Sequence, residues 1–257
     1  MAESSLLPLA GRVLLVTGGS SGIGRAIALG AARAGADVAL TYRASRAAAD
    51  DVAGEVRALG RRAATLPLEL SDATQIAEAA AAVVSALGRV DVWVNSAGAD
   101  ILTGEQASLT PTQKLDLLLA VDLRGTILAS WHAAERLAAN SDGGVIVNMS
   151  WDHVLTGMPG VNPQMFAAVK GGVLAFSKSL ARTVAPAVRV NVVAPGWIAT
   201  AFGERLDAAA RRRVEASTPL GRWGTPDDVA GAVVYLASPA ASFLTGQTIL
   251  VGGGVVM

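Results

Sequence analysis

A doubly wound α/β fold, with a parallel sheet between two layers of helices, is predicted by three features of this 257-residue sequence. Short β-rich runs alternate with longer helical runs from end to end. The strand runs are continuously apolar, as expected when helices cover both faces of a sheet. No linker or low-complexity stretch interrupts the alternation, so residues 1–257 read as one domain. At 52% hydrophobic, the chain has enough apolar material for a large core.

The elements follow in order. Arg12–Thr17 (RVLLVT) is the first strand, and Ile23–Arg33 a helix entered through a glycine-rich turn. Asp37–Tyr42 is extended, Ala47–Leu59 helical, Ala63–Leu68 extended and Ala73–Leu87 helical. Val90–Asn95 (VDVWVN) is a strand, and one long helix is expected over Thr112–Ala139. Gly144–Ser150 is a strand, Pro163–Val184 a helix and Val188–Ala194 a strand. A helical pair fills Glu204–Ala237, and Thr248–Gly253 closes the chain as a strand. Parallel strands joined by right-handed crossovers bind ligands at their carboxyl ends, so the residues just after each strand carry the functional question.

Twenty-one basic and twenty-one acidic residues cancel. No basic tract stands out, which argues against nucleic acid; Arg211, Arg212 and Arg213 read as a solvated helix face. The absence of cysteine excludes disulfides, thiolate catalysis and Cys-based zinc sites, and two distant histidines make a metal site improbable. The N-terminus lacks the long apolar core of a secretory signal. Val229–Met257 carries no charge, but Pro239, Gln247 and glycines cut it into pieces too short to span a bilayer. A cytoplasmic protein without a membrane partner is expected.

After the first strand comes VTGGSSGIGRA (Val16–Ala26), in which Gly18, Gly22 and Gly24 permit a tight turn and close approach to a pyrophosphate. The helix that follows offers free N–H groups and a positive dipole end. This TGxxxGxG spacing resembles that of the short-chain dehydrogenase/reductase family. The resemblance continues in NSAG (Asn95–Gly98), PGWIAT (Pro195–Thr200), GRWGTPDDVAGAVVYLAS (Gly221–Ser238) and LTGQTILVGGG (Leu244–Gly254), and so covers nearly the whole chain. It implies a single-domain Rossmann fold of about seven strands, assembled as a homotetramer or homodimer and binding a nicotinamide dinucleotide. By that resemblance the cofactor contacts are Gly18, Ser20, Ser21, Gly22, Ile23, Gly24, Asn95, Ala97, Gly98, Lys170, Pro195, Gly196, Ile198 and Thr200, with Glu69 and Leu70 in place of the usual Asp-Val beside the adenine. An acid after the second strand would bind the NAD ribose; the chain instead has TYRASR, where Arg43, Ser45 and Arg46 suit a 2′-phosphate. NADP(H) is therefore favoured over NAD(H).

The family's reductive chemistry uses a tyrosine and a lysine spaced YxxxK, a serine and an asparagine. Here the corresponding stretch is FAAVK, Phe166 to Lys170, and phenylalanine has no proton to give. VDLRG (Val121–Gly125) puts Asp122 where the asparagine is expected. NMSW puts Trp151 at the serine position, or, counting back from Phe166, His153 occupies it. By resemblance, Lys170 keeps its grip on the nicotinamide ribose and Asp122 is a candidate partner for it. New polar groups, Ser150, Asp152 and His153, stand at the same strand end; histidine titrates nearest neutrality. Asp152 is not expected to orient its immediate neighbour, and His132, within the long helix, reads as structural.

Three functions compete. The first is an atypical NADP(H)-dependent oxidoreductase in which His153 or Asp152 supplies the proton, on a substrate such as an iminium or conjugated acceptor that makes light demands on an acid. The second is a redox-neutral cyclase, dehydratase or isomerase on the same scaffold, with Asp152, His153 or Asp122 as acid and base and any bound nucleotide structural. The third is a non-catalytic nucleotide-binding homologue, its pocket filled by Trp151, Trp197 and Trp223. The first is preferred, with Asp152–Asn162 and Phe202–Thr218 covering a moderately apolar small molecule.

Overall fold

Seven parallel strands make one sheet in the computed structural model, which describes residues 7–200, 203 and 207–257. Across the sheet they run β3 (Ala63–Pro67), β2 (Asp37–Tyr42), β1 (Val13–Val16), β4 (Val92–Asn95), β5 (Gly144–Met149), β6 (Val188–Pro195) and β7 (Thr248–Val251). The chain builds outward from β1 to β3, then returns past β1 to start β4. That reversal opens a crevice between the carboxyl ends of β1 and β4, where ligands of such sheets bind.

Successive strand residues face opposite helix layers. Leu14, Val16, Val38 and Leu40 pack towards α1 (Gly22–Arg33), α2 (Arg46–Ala58) and α8 (Pro226–Ala237). Val13, Leu15, Ala39 and Trp93 pack towards α3 (Ala73–Leu87), α5 (Thr126–Ala138) and α6 (Val161–Val184). Each fully buried Leu or Ile contributes about 1.5–3 kcal/mol. α1 lies close on α8 because Gly30 faces Ala230: a Cβ at Gly30 would stand 3.3 Å from the alanine methyl. At the amino ends of the strands, buried Asp91 accepts from the Val13 N–H at 2.8 Å and pairs with Arg12 and Arg89, tying β4 to β1.

Helix starts follow from local chemistry. Asp72 caps α3 by accepting from the Thr74 and Gln75 amides. Thr110 with Gln113, and Thr225 with Asp228, close capping boxes ahead of Pro111 and Pro226 at the first helical position. Such caps contribute about 1 kcal/mol each.

The long helical stretch over 112–139 is present and unbroken, α4 (Pro111–Leu118) running through a π-helical segment, Leu119–Gly125, into α5. The wide turns carry Gly125 against the Leu70 carbonyl, where a Cβ would come within 2.6 Å of the oxygen. The helical pair over 204–237 is α7 (Ala208–Ser217) and α8, joined by an irregular stretch; residues 204–206, like Phe202, lie outside the described residues. No helix among the described residues is long and apolar enough to cross a membrane.

Candidate active site

The crevice begins with main chain. Gly18 (φ 69°) and Gly22 (φ 53°) adopt left-handed conformations that other residues resist. A Cβ on Gly18 would stand 2.9 Å from the Ala97 Cα, and one on Gly24 would overlap the Gly18 carbonyl. Ser21 is extended at the head of α1 and its hydroxyl makes no capping bond; the first turn of α1 holds no acid. The helix thus presents its N–H groups and positive dipole end to the crevice, a cradle fitted to a phosphate. Two threonines brace it. Thr41 Oγ1 accepts from the Gly18 N–H at 3.2 Å, and Thr17 Oγ1 from the Ser96 and Ala97 amides at 3.0 Å each.

Asn95 is buried, and its amide works inside the protein. Nδ2 donates to Ser130 Oγ (3.0 Å) and Asn148 Oδ1 (2.8 Å), while Oδ1 accepts from Trp93 Nε1 (2.9 Å). It therefore shapes the loop to Gly98 from beneath. Gly98 itself must be small, since a Cβ there would come 2.8 Å from Asp122 Oδ2.

Asp122 reaches this point from the π-helical segment. Its Oδ1 accepts from the Ala99 N–H at 2.7 Å, and its Oδ2 pairs with Lys170 Nζ at 2.8 Å. Both oxygens of a buried carboxylate are thereby satisfied, and the ammonium is neutralised. Phe166 stands one turn before Lys170 on α6, packed against the core, its ring 6.3 Å from that of Trp151. Ser150 donates its hydroxyl to the Lys170 carbonyl at 2.9 Å.

At the end of β5 the chain turns in a 3-10 segment, Asp152–Val154. Asp152 Oδ1 accepts from the His153 backbone N–H at 2.7 Å and lies 2.6 Å from His153 Nδ1. The expectation that neighbours could not be oriented by one another is overturned: a strand would point them apart, but this tight turn brings them together. Asp152 is fully buried, and its Oδ2 has no hydrogen-bond partner among the described residues. That oxygen fills a notch between Gly196 and Gly252, where a Cβ on either glycine would overlap it. Burial pushes the Asp152 carboxyl above its ordinary range, and the hydrogen bonds and charge of His153 offset part of that rise. The imidazole is covered by rings: Trp151 stacks on it at 5.0 Å, and Trp197 meets it edge-on at 6.2 Å. Trp223 continues the row, 5.6 Å from Trp197.

A family model described as enoyl-(acyl carrier protein) reductase matches residues 18–256. L-rhamnose 1-dehydrogenase (NAD(P)(+)) of a Sphingomonas species is 37% identical over 250 residues, covering 96% of this chain and 97% of that protein. The 3-oxoacyl-(acyl-carrier-protein) reductase of a Synechocystis species is 36% identical, covering 97% and 98%. A short-chain dehydrogenase/reductase structure from Serratia marcescens superposes with a TM-score of 0.87 at 33% identity, covering 97% of this chain and all of that one. The chain belongs to the short-chain dehydrogenase/reductase family.

The expected single-domain Rossmann fold with seven parallel strands is borne out, and relatives in this dehydrogenase/reductase family are named as oxidoreductases. Gly18, Ser20, Ser21, Gly22, Ile23 and Gly24 follow β1, Ala97 and Gly98 follow β4, and Gly196, Ile198 and Thr200 follow Pro195, the last residue of β6, with the Thr200 methyl 3.9 Å from where a Gly22 Cβ would stand. Arg43 and Ser45 are exposed beyond β2, whereas Arg46 lies 3.5 Å from Asp50 as an i,i+4 ion pair. Glu69 is half-buried and its carboxylate accepts from the Ser71 N–H; Leu70 is a core residue. Sequence reading missed Thr17, Thr41 and Gly252. The threonines carried one signal, a polar residue ending or nearly ending an apolar strand; Gly252 carried none.

Proposed function

We propose that this chain is an NADP(H)-dependent oxidoreductase of a moderately apolar small molecule, in which the Asp152–His153 pair does the proton work a tyrosine does elsewhere in the family. The observation that carries the reading is the 2.6 Å contact between Asp152 Oδ1 and His153 Nδ1 at the carboxyl end of β5. It holds one ring nitrogen and leaves Nε2 to carry a proton. Support comes also from what surrounds Lys170. Phe166 offers no hydroxyl, Ser150 spends its own on a main-chain carbonyl, and an aspartate stands at the asparagine position. The two tyrosines of the chain, Tyr42 and Tyr235, belong to β2 and α8.

The glycine cradle, α1 and the Thr17-braced loop would hold the pyrophosphate and adjoining ribose, and Lys170 the nicotinamide ribose. The lack of an acid after β2, with Arg43 and Ser45 exposed there, favours the 2′-phosphate of NADP(H). A bound reduced nicotinamide supplies a hydride for an electrophilic carbon. Around it, Asp122 fixes Lys170, the rings of Trp151 and Trp197 exclude water, and His153 moves a proton at Nε2. A cytoplasmic homodimer or homotetramer fits this reading. Trp131, 56% exposed, shares an apolar groove with Leu119, Leu123 and Leu128 that a second copy would cover.

Rapid-mixing measurement of NADPH oxidation against ketones, imines and enones tests the assignment. Turnover with at least one class, lowered in His153→Gln, is expected; silence with every class overturns it. A second reading, redox-neutral acid–base catalysis, is favoured by the same buried Asp–His pair, which needs no hydride to act. Substrate turnover that leaves the nicotinamide unchanged would select it.

A further inference from the structure

The row of rings at the crevice continues beyond the residues that move protons. From Phe166 it runs to Trp151 (6.3 Å between centroids), His153 (5.0 Å), Trp197 (6.2 Å) and Trp223 (5.6 Å). Its far end already carries a cation, the Arg211 guanidinium, 5.8 Å over the Trp223 ring. Near its other end, the Lys170 ammonium of α6 is neutralised by Asp122 at 2.8 Å. Indole faces attract cations through their quadrupole, most strongly where water is excluded. A carbonyl substrate, in contrast, calls for hydroxyl donors at its oxygen; Phe166 has none and Ser150 donates to the Lys170 carbonyl.

Resting on the oxidoreductase reading above, we propose that the substrate is an imine, reduced as its iminium cation on the face of the Trp151–Trp197 ring row. His153 Nε2–H protonates the imine nitrogen. Hydride from the reduced nicotinamide dinucleotide adds to the iminium carbon. The C=N π pair becomes the nitrogen lone pair, the product is a neutral amine, the dinucleotide leaves oxidised, and His153 regains its proton from water.

Three bicyclic probes of one shape test this: dihydroisoquinoline as imine, its N-methyl cation as a permanent iminium, and the ketone tetralone. A fourth, the unreducible N,N-dimethyl-tetrahydroisoquinolinium cation, reports binding alone by calorimetry on the NADPH-saturated protein. The quaternary cation should bind about tenfold tighter than tetralone, and Trp151→Leu or Trp197→Leu should erase most of that preference. Two variants are used, each checked by thermal unfolding, so that one misfolded protein does not decide the matter. Both imine and N-methyl iminium should be reduced to amines. In His153→Gln the ratio of imine to iminium rates should fall about a hundredfold, because only the imine needs the proton. Equal binding of tetralone and cation, or equal losses for both substrates in His153→Gln, overturns the proposal. Reduction of tetralone without reduction of the imine overturns it while leaving the oxidoreductase reading standing. A cation preference with no NADPH oxidation by any probe sinks the oxidoreductase reading and the imine with it.

Discussion

Between β1 and β4 the crevice is lined by main chain; beyond β5, β6 and β7 it is lined by side chains. In the first half, conformation does the work: Gly18 and Gly22 at positive φ, Gly24 beneath the Gly18 carbonyl, and threonine hydroxyls holding amides in place. In the second half, two buried carboxylates do the work, and they differ. Asp122 has both oxygens engaged, by the Ala99 amide and by Lys170. Asp152 has one oxygen shared by the backbone and ring of His153 and another without a partner among the described residues. A satisfied carboxylate is a structural anchor. One left partly unsatisfied in a dry notch holds its proton more tightly.

That contrast predicts effects of unequal size. The largest should come from His153→Gln, expected to lower the rate of substrate reduction by about a hundred- to ten-thousandfold in single-turnover kinetics, the usual cost of losing an acid–base group. NADPH titration of the same variant should show the nucleotide still held, since the cradle contains no part of His153. If the nucleotide is lost as well, the two halves are not separable. Next comes Asp122→Ala. It strands the Lys170 ammonium, 13% exposed, and leaves the Ala99 amide unpaired, so urea unfolding should register a loss of about 3 kcal/mol. A loss under about 1 kcal/mol would mean that Lys170 finds another partner and that Asp122 is no anchor.

How far the two halves were legible in the sequence follows from how each is made. Glycine positions are local signals, because glycine accepts a left-handed φ that side chains resist; the threonines that brace them were missed, since a polar residue near a strand end does not show which amides it holds. The sheet was legible from local signals too: VLLV, VALT and VWVN are apolar on both faces. The second half depended on contacts between distant residues. Nothing in the local sequence around Gly196 or Gly252 shows that both sit against one carboxylate after β5. The π-helical segment was hidden as well, because an i→i+5 turn shifts the apolar register by about one residue without breaking helical composition. Asp152 and His153 were visible as residues, and Asp122 as a candidate partner of Lys170. The Asp152–His153 contact was not, because adjacency in an extended chain separates side chains that a 3-10 turn unites.

A double-mutant cycle sharpens the difference between the notch and the anchor. Gly252→Ala drives a methyl into Asp152 Oδ2 and should cost about 1–3 kcal/mol in urea unfolding. Combined with Asp152→Ala, which removes the obstructing carboxylate, the same substitution should cost less by about 1 kcal/mol. Strict additivity would mean that the strain is taken up by the backbone and that the glycines do not define the seat of Asp152.

The smallest effect is the most specific to the unsatisfied oxygen. Burial raises the Asp152 pKa in the folded protein, whereas in the unfolded chain the group ionises near about 3.9. The folded state therefore binds more protons than the unfolded state between that pH and the raised native value. Stability contributed by protonated Asp152 is fully present below about pH 4 and is lost as pH rises through the native pKa. Relative to Asp152→Asn, which does not titrate, the wild-type protein should grow less stable as pH climbs across that window, with no further divergence above it. Urea unfolding of the pair from acid to neutral pH reads the slope directly. In a His153→Gln background the window should extend upward, because the imidazole contacts that pull the Asp152 pKa down are gone. A difference that runs the other way, with wild type gaining on Asp152→Asn as pH rises, would mean that Asp152 is held ionised by His153⁺, and would turn the pair from a shared proton into a fixed ion pair.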